Sequence, residues 1–236
     1  MTTQRTNSRG MALRLGAVLI LVGGAASAWW FHWIPNWRPP LRNGEIYGID
    51  VSAHQEAIDW EAVAGDDMEF AYIKATEGGD FVDNRFEVNW RDAGEAELQR
   101  GAYHFFTLCT PGRAQAQNFL RVARPDPDAL APAVDLELAG NCSARPPQDD
   151  VMKELDVFLE QVEQRWERET VLYVGNDWRE AYPLGERESR PLWLRRFLLR
   201  PSAAWAIWQL HGYASVHGIE GGVDLNVMRG DRVWPR

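Results

Sequence analysis

Between residues 46 and 228 the chain alternates short apolar segments with longer polar or amphipathic ones, and this alternation constrains the fold most. Eight segments have the length and composition of β-strands: 46–52, 69–76, 101–106, 131–138, 170–176, 191–197, 206–211 and 221–228. Helices are predicted between the first five strands: 59–65, 84–98, 112–123 and 148–166. Strands that alternate with helices predict an α/β fold. Eight of them predict a modified (β/α)8 TIM-like barrel with several helices missing in its second half.

Polar side chains recur at the ends of these strands. In such barrels the catalytic groups lie at the C-terminal ends of the strands, so side chains there converge on one pocket. The candidates at or near strand ends are Asp50, Lys74, Glu77, Tyr103, His104, Asp135, Glu137, Tyr173, Trp193 and Gln209. Asp224 differs, because it opens the last strand. The pattern predicts a single pocket lined by carboxylates and aromatic rings.

The fourth strand carries two acids in an otherwise apolar run, "LAPAVDLELAG". Asp135 and Glu137 are two residues apart, so in a strand both side chains point to the same face, with Cα atoms roughly 6.5–7 Å apart. Like charges this close disfavour each other's ionisation. A solvated strand edge would also tolerate such a pair, but the other polar strand ends favour a functional site.

The chemistry that suits this set is glycoside hydrolysis. One carboxylic acid must stay protonated to donate to the leaving oxygen, and a neighbouring carboxylate raises its pKa. Aromatic faces stack on sugar rings, and the chain has 12 tryptophans. The sequence contains no G-x-S-x-G and no H-E-x-x-H motif, which disfavours serine and metal hydrolysis, so we expect no metal and no cofactor. His104 has two interpretations, a site residue or a hydrogen-bonded core histidine.

The net charge is −9 and the pI is about 5.1. A nucleic-acid-binding protein would normally carry a basic stripe, and the sequence shows none, so we expect no nucleic-acid partner.

Seven segments in order resemble glycoside hydrolase family 25, the muramidases: "YGIDVSAHQEAIDW", "FAYIKATEG", "GAYHFF", "PAVDLE", "LYVGNDW", "PLWLRRF" and "WAIWQLHGYASVHGIEGGVDLN". The resemblance covers residues 46 to 228, nearly the whole chain after the connector. The segment after "PLW" departs from the family, because it reads "LRRF" where the family often has a small residue and then Tyr. This departure concerns the outer sugar subsites.

The resemblance implies a lysozyme that cleaves the β-1,4 bond between N-acetylmuramic acid and N-acetylglucosamine in a peptidoglycan glycan strand. It places the general acid at Glu137 and supporting aspartates at Asp50, Asp135 and Asp224. The remaining strand-end residues are candidates for substrate binding: Lys74, Glu77, Tyr103, Tyr173, Trp193 and Gln209. We expect a monomer.

There are two hypotheses for the role of Asp135 in such a reaction. It can orient the 2-acetamido group of the substrate, whose carbonyl then attacks the anomeric carbon, as in substrate-assisted glycosidases. In an inverting reaction, Asp50 or Asp135 would instead act as general base for water. Two other functions fit the same residues: a catalytically silent protein that binds cell-wall glycan, and a hydrolase of another N-acetylated glycan such as chitin.

The first residues predict export. Arginines precede an apolar stretch without acids, and Ala26-Ser27-Ala28 matches a cleavage site for a signal peptide. The tryptophans that follow prolong the apolar run and are typical of a membrane interface. We therefore divide the chain into a signal peptide or signal anchor at 1–28, a Pro/Trp-rich connector at 29–44 and a catalytic barrel at 45–236. The protein is expected in the periplasm or outside the cell, either free or anchored in the inner membrane.

The two cysteines are predicted to form a disulfide. Cys109 follows the third strand and Cys142 follows the fourth, so both lie in loops that leave the same rim of neighbouring strands. Neighbouring strands are about 4.8 Å apart, which is compatible with the Cα separation of a disulfide. An oxidising compartment would preserve the bond.

Overall fold

The computed structural model describes residues 7–230, so the first six residues of the predicted targeting segment and the last six of the catalytic barrel lie outside it. The chain divides into two compact units, one ending at Arg38 and one beginning at Pro39. In its described residues the first unit contains a single long helix, α1 (Asn7–Trp33), which continues through the predicted boundary at residue 28.

The described part of the second unit, residues 39–230, contains nine strands: β1 (Glu45–Val51), β2 (Met68–Glu77), β3 (Phe81–Val82), β4 (Gln99–Phe105), β5 (Ala133–Leu136), β6 (Val171–Val174), β7 (Leu192–Arg195), β8 (Ile207–Ala214) and β9 (Val223–Arg229). The eight predicted strands are present and form a closed barrel in the order β1-β9-β8-β7-β6-β5-β4-β2, with β2 pairing back onto β1. The two-residue strand β3 was not predicted, and it pairs antiparallel with the end of β2.

The helices of this unit are α2 (Trp60–Ala64), α3 (Phe86–Glu95), α4 (Gly112–Val122), α5 (Gln148–Trp166) and α6 (Asn176–Ala181), with short 3-10 turns at Ala53–Gln55 and Gly185–Ser189. Between β7 and β9 the described chain forms no helix. The predicted shortage of helices in the second half is therefore confirmed.

One strand breaks the parallel arrangement of the barrel. β9 runs antiparallel to both of its neighbours, β1 and β8, whereas the other strands of the barrel pair in parallel. An antiparallel neighbour is reached by a short hairpin, while a parallel one requires a long crossover that usually contains a helix. The direction of β9 thus explains why no helix separates it from β8.

Large side chains fill the interior of the barrel, and glycines on the strands leave room for them. A Cβ atom at Gly101 would lie 2.3 Å from the ring of Tyr72, and one at Gly48 would lie 2.3 Å from the ring of Phe70. Phe70 and Tyr72 are fully buried and meet edge to face, with ring centroids 6.4 Å apart. This packed interior supports the floor of the site described next.

Candidate active site

A cavity of about 310 Å³ opens at the rim formed by the C-terminal ends of the parallel strands. It is lined by Asp50, Tyr103, Ala133, Val134, Asp135, Glu137, Tyr173, Trp193, Arg195, Gln209, Gly212, Tyr213 and Asp224. The structure therefore brings together all four predicted carboxylates and four of the six predicted substrate-binding residues.

The two acids of the fourth predicted strand face this cavity together. Asp135 lies in β5 and Glu137 is the first residue after this strand, while Leu136 between them is fully buried on the opposite face. Burial raises the pKa of Asp135 well above its ordinary value, and the negative charges of Glu137 and Asp50 raise it further. The Oδ1 atom of Asp135 is buried and accepts no hydrogen bond from any residue that the structure describes.

Glu137 is held in a mixed electrostatic environment. Burial raises the pKa of its carboxyl, and Asp177 and Asp224 add to the increase. Arg195 and Lys74 act in the opposite direction, but the net shift of the pKa is upward. A carboxyl with a raised pKa retains its proton at higher pH than an ordinary glutamate, as a general acid requires.

Two amide groups hold the carboxylate of Asp50. Asn226 donates from Nδ2 to Asp50 Oδ1 at 2.7 Å, and Gln209 donates from Nε2 to the same oxygen at 3.0 Å. Burial and the charge of Asp224 raise the pKa of Asp50, and the two amide hydrogen bonds lower it, with a net shift upward. Burial also raises the pKa of Asp224, against the opposing effect of Arg195.

The aromatic side chains extend this network into the barrel. Tyr173 donates its hydroxyl hydrogen to Gln209 Oε1 at 3.0 Å, and Trp193 donates from Nε1 to Asn226 Oδ1 at 2.8 Å. Trp193 is only 2% exposed, so it supports the cavity from within the core. Burial raises the pKa of Tyr103 and Tyr173, so both phenols stay protonated and can donate hydrogen bonds.

Lys74 and Glu77 lie near the rim but do not line the cavity. Lys74 Nζ is 2.8 Å from Glu77 Oε2, and it also sits 5.1 Å from the centre of the Phe105 ring. Lys74 nevertheless lowers the pKa of Asp135 and Glu137. Its influence on the acids is therefore electrostatic and acts from beyond the cavity wall.

His104 is a core residue. It is fully buried, its ring nitrogens lie 2.7 Å from Thr76 Oγ1 and 3.1 Å from Gln115 Oε1, and its ring stacks on Phe158 at 4.9 Å. Burial lowers its pKa to about 3, so the imidazole stays neutral and serves packing.

Four residues of the site were missed from the sequence: Asn226, Asp177, Arg195 and Tyr213. Asn226 and Arg195 each follow a predicted site residue by two positions, so strand periodicity alone would have placed them on the same face. Asp177 accepts a hydrogen bond from the backbone N–H of Leu138 at 3.0 Å, next to Glu137. No local pattern signals this contact, because 39 residues separate the two partners.

The predicted disulfide joins Cys109 and Cys142, with Cα atoms 6.2 Å apart, and it ties the loop after β4 to the loop after Glu137. Asn141 reinforces the same loop, because its Nδ2 donates to the backbone oxygen of Glu137 at 3.0 Å and to that of Phe106 at 2.8 Å. The disulfide and these hydrogen bonds thus hold the backbone at Glu137 in place. Among the described residues, no three His, Cys, Asp or Glu side chains are grouped to hold a metal ion.

This arrangement suits acid-catalysed cleavage of an oxygen-rich substrate. It combines a protonatable carboxyl, a second buried carboxylate with an unused acceptor, and hydrogen-bonding phenols and amides in one cavity.

Comparison with known proteins agrees with this reading. The family model for glycosyl hydrolases family 25 matches residues 49–221. The chain is 35% identical over 194 residues to the uncharacterized protein YegX of Escherichia coli, covering 78% of this chain and 70% of that protein. It is 31% identical over 206 residues to Lysozyme M1 of Streptomyces globisporus, covering 81% of this chain and 70% of that protein. The solved structure of a family 25 glycosyl hydrolase from Bacillus anthracis superposes with a TM-score of 0.74 at 33% identity, covering 81% of this chain and 92% of that one.

Proposed function

The chain belongs to glycosyl hydrolase family 25 and is a glycoside hydrolase, and from this we propose that it is a lysozyme that hydrolyses the β-1,4 bond between N-acetylmuramic acid and N-acetylglucosamine in peptidoglycan. The observation that carries this proposal is the pair of Asp135 and Glu137 on one wall of the cavity, each with a raised pKa.

Glu137 is the general acid in this proposal. Its raised pKa keeps a proton available, and the proton passes to the glycosidic oxygen as the bond to the anomeric carbon breaks. After the leaving sugar departs, the Glu137 carboxylate accepts a proton from the incoming water. One group therefore serves both halves of the reaction.

Asp135 orients the 2-acetamido group. A buried acceptor without a partner costs free energy, and an N–H from the substrate would satisfy Oδ1 of Asp135. With its N–H held, the acetamido group presents its carbonyl oxygen to the anomeric carbon and forms a bond to it as the glycosidic bond breaks. Water then opens the cyclic intermediate, and the product retains the β configuration. The alternative, in which Asp50 or Asp135 activates water directly, predicts inversion.

Asp50 and Asp224 support the positive charge that develops on the sugar. Asp50 is held by Asn226 and Gln209, which aim it at a constant position. Fixed charges that are already in place stabilise a transition state without reorganisation. Tyr103, Tyr173 and Gln209 line the same cavity and are proposed to bind the sugar, with Trp193 packing behind them. Lys74 and Glu77 are proposed to act from beyond the cavity wall, as an ion pair that tunes the acids.

The test is mass spectrometry of the fragments that the purified chain releases from peptidoglycan. A lysozyme leaves N-acetylmuramic acid at the new reducing end, and Glu137→Gln should release nothing. Chitin oligomers form a second substrate. Cleavage of chitin but not of peptidoglycan would replace the proposed substrate, and no cleavage of either would favour a glycan-binding protein.

We also propose that the protein is exported and stays anchored in the inner membrane. The helical segment Arg14–Trp33 has 20 residues and a mean hydropathy of 1.5, and none of it is buried inside the protein. Twenty helical residues span about 30 Å, the thickness of the hydrocarbon core. At its end Trp29 stacks on Trp33 at 5.0 Å, and aromatic rings favour the membrane interface.

The length of the mature chain and its behaviour in membrane extraction test the anchor. An anchored protein keeps its first 28 residues and resists extraction with alkaline carbonate. A soluble chain that begins at Trp29 would contradict the anchor but would agree with export.

A further inference from the structure

Arg195 is the only cationic residue among the described residues that line the cavity. It ends β7, two positions after Trp193, and strand alternation therefore turns both side chains toward the interior of the barrel rim. Unlike Trp193, Arg195 is exposed, so a solute in the cavity can reach its side chain.

The guanidinium has donors to spare. The negative charges of Asp224 and Glu137 interact with it electrostatically. In the described part of the chain, no carboxylate oxygen approaches its guanidinium within ion-pair distance, whereas arginines such as Arg190 and Arg200 form close pairs with Glu163 and Glu45. Arginine carries five N–H donors in a planar fork that matches a carboxylate.

The negative charges around Arg195 determine which substrates the cavity attracts. Four carboxyl groups line the same cavity, and they would repel an anionic substrate in the absence of a cation. A neutral glycan would not need this compensation. The exposed cation in the cavity wall therefore favours a substrate that carries its own negative charge close to the cleaved bond.

We propose that Arg195 binds a carboxylate of the substrate and thereby selects glycans that contain muramic acid over uncharged N-acetylated glycans. This inference rests on the proposed lysozyme function and names the group that distinguishes its substrate. N-acetylmuramic acid carries a lactyl ether that ends in a carboxylate or continues into a peptide with its own carboxylates. N-acetylglucosamine has no such group.

The experiment uses the full chain with three soluble substrates of equal length. The first is an oligomer of alternating N-acetylmuramic acid and N-acetylglucosamine with free lactyl carboxylates, the second is its methyl ester, and the third carries stem peptides. KM and kcat are measured for the parent, for Arg195→Met and for Arg196→Met. Arg196 is the matched control, because it is the next residue, is also exposed and does not line the cavity.

Arg195→Met should raise KM for the free acid about tenfold or more, as expected for a lost charge-assisted hydrogen bond, and should leave KM for the methyl ester within twofold of the parent. Arg196→Met should change neither value. If the effect appears only with the peptide-bearing substrate, the carboxylate that binds belongs to the peptide, and the proposal holds. Equal losses on acid and ester, with an unchanged melting temperature, would overturn it.

The outcome for the parent enzyme separates this inference from the lysozyme proposal. Failure of the parent to cleave any of the three oligomers contradicts the lysozyme function and the carboxylate site with it. Cleavage of all three oligomers with the same KM by parent and Arg195→Met contradicts the carboxylate site alone.

Discussion

Asp50 on β1 and Asp224 on β9 are directly opposite each other in the antiparallel ladder that closes the barrel. Side chains at opposite positions of such a ladder point to the same face and lie close together, so two negative charges there repel. Different groups offset the repulsion at each acid. Asn226 and Gln209 donate hydrogen bonds to Asp50, whereas Arg195 lowers the pKa of Asp224. The repulsion between Asp50 and Asp224 therefore lowers the stability of the folded chain, but it places negative charge in the cavity.

Replacing Asp50 with Asn should stabilise the fold and reduce turnover. The amide keeps an oxygen that can accept from Asn226 and Gln209, but it removes a buried charge. Because the pKa of Asp50 is raised in the folded state, the carboxyl costs stability at pH values above its unfolded pKa of about 4 and nothing well below it. The variant should melt a few degrees above the parent at pH 7, and the difference should vanish near pH 3. A lower melting temperature at pH 7 would contradict the assigned repulsion.

Glu137→Gln should reduce the rate of peptidoglycan cleavage by at least about 10²–10⁴-fold, since the amide cannot donate the proton that the leaving oxygen needs. Glu160→Gln is the control, because it makes the same change on an exposed face of α5. Release of soluble fragments from labelled peptidoglycan measures the rate. A Glu137→Gln variant within threefold of the parent would remove Glu137 from the role of acid.

Asp135→Asn should also greatly reduce kcat, because an amide cannot stabilise the positive charge that develops on the acetamido group. The parent enzyme provides the second half of this test through the stereochemistry of its product. Substrate assistance gives the β-anomer first, which an NMR spectrum recorded before mutarotation detects. The α-anomer as first product would instead assign water activation to a carboxylate.

Lys74→Met should move the pH profile of kcat/KM to higher pH. Lys74 lowers the pKa of both Asp135 and Glu137, so its removal raises both. The acidic limb, which reports ionisation of Asp135, and the alkaline limb, which reports loss of the proton from Glu137, should shift in the same direction. The chain's other lysine, Lys153, is exposed on α5, so Lys153→Met is the control. An unchanged profile together with a lower melting temperature would mean that Lys74 only stabilises the fold.

Removing the disulfide should destabilise the enzyme by about 3–4 kcal/mol in the chain-entropy model, given a sequence separation of 33 residues between Cys109 and Cys142. The double variant Cys109→Ser/Cys142→Ser and the reduced parent should show the same loss in urea unfolding. Thiol titration of the denatured, unreduced parent should find no reactive thiol. Two thiols per chain would show that the bond does not form in the exported protein.

Local sequence patterns were sufficient to predict much of the fold of this protein. The eight strands, the shortage of helices late in the chain and the common face of Asp135 and Glu137 all follow from side-chain alternation and segment length, which depend on neighbours a few residues away. The pairing of Cys109 with Cys142 followed from the order of the third and fourth strands in the barrel.

The direction of β9 required the tertiary structure. Asp224 opens its strand, which in an all-parallel barrel would place it at the rim opposite Asp50. Because β9 runs antiparallel to β1, the beginning of β9 lies beside the end of β1, and Asp224 joins the other acids. The sequence of one strand does not encode its direction relative to a partner far along the chain.

The electrostatic character of the site also depended on the folded chain. Lys74 pairs with Glu77 outside the cavity, Arg195 enters its wall, and two amides from β8 and β9 hold Asp50. Side-chain alternation states which face of a strand a residue occupies, but burial and charge depend on the groups that distant segments bring to that face. The carboxyl pKa values are raised mainly by burial, and burial exists only once the barrel has closed.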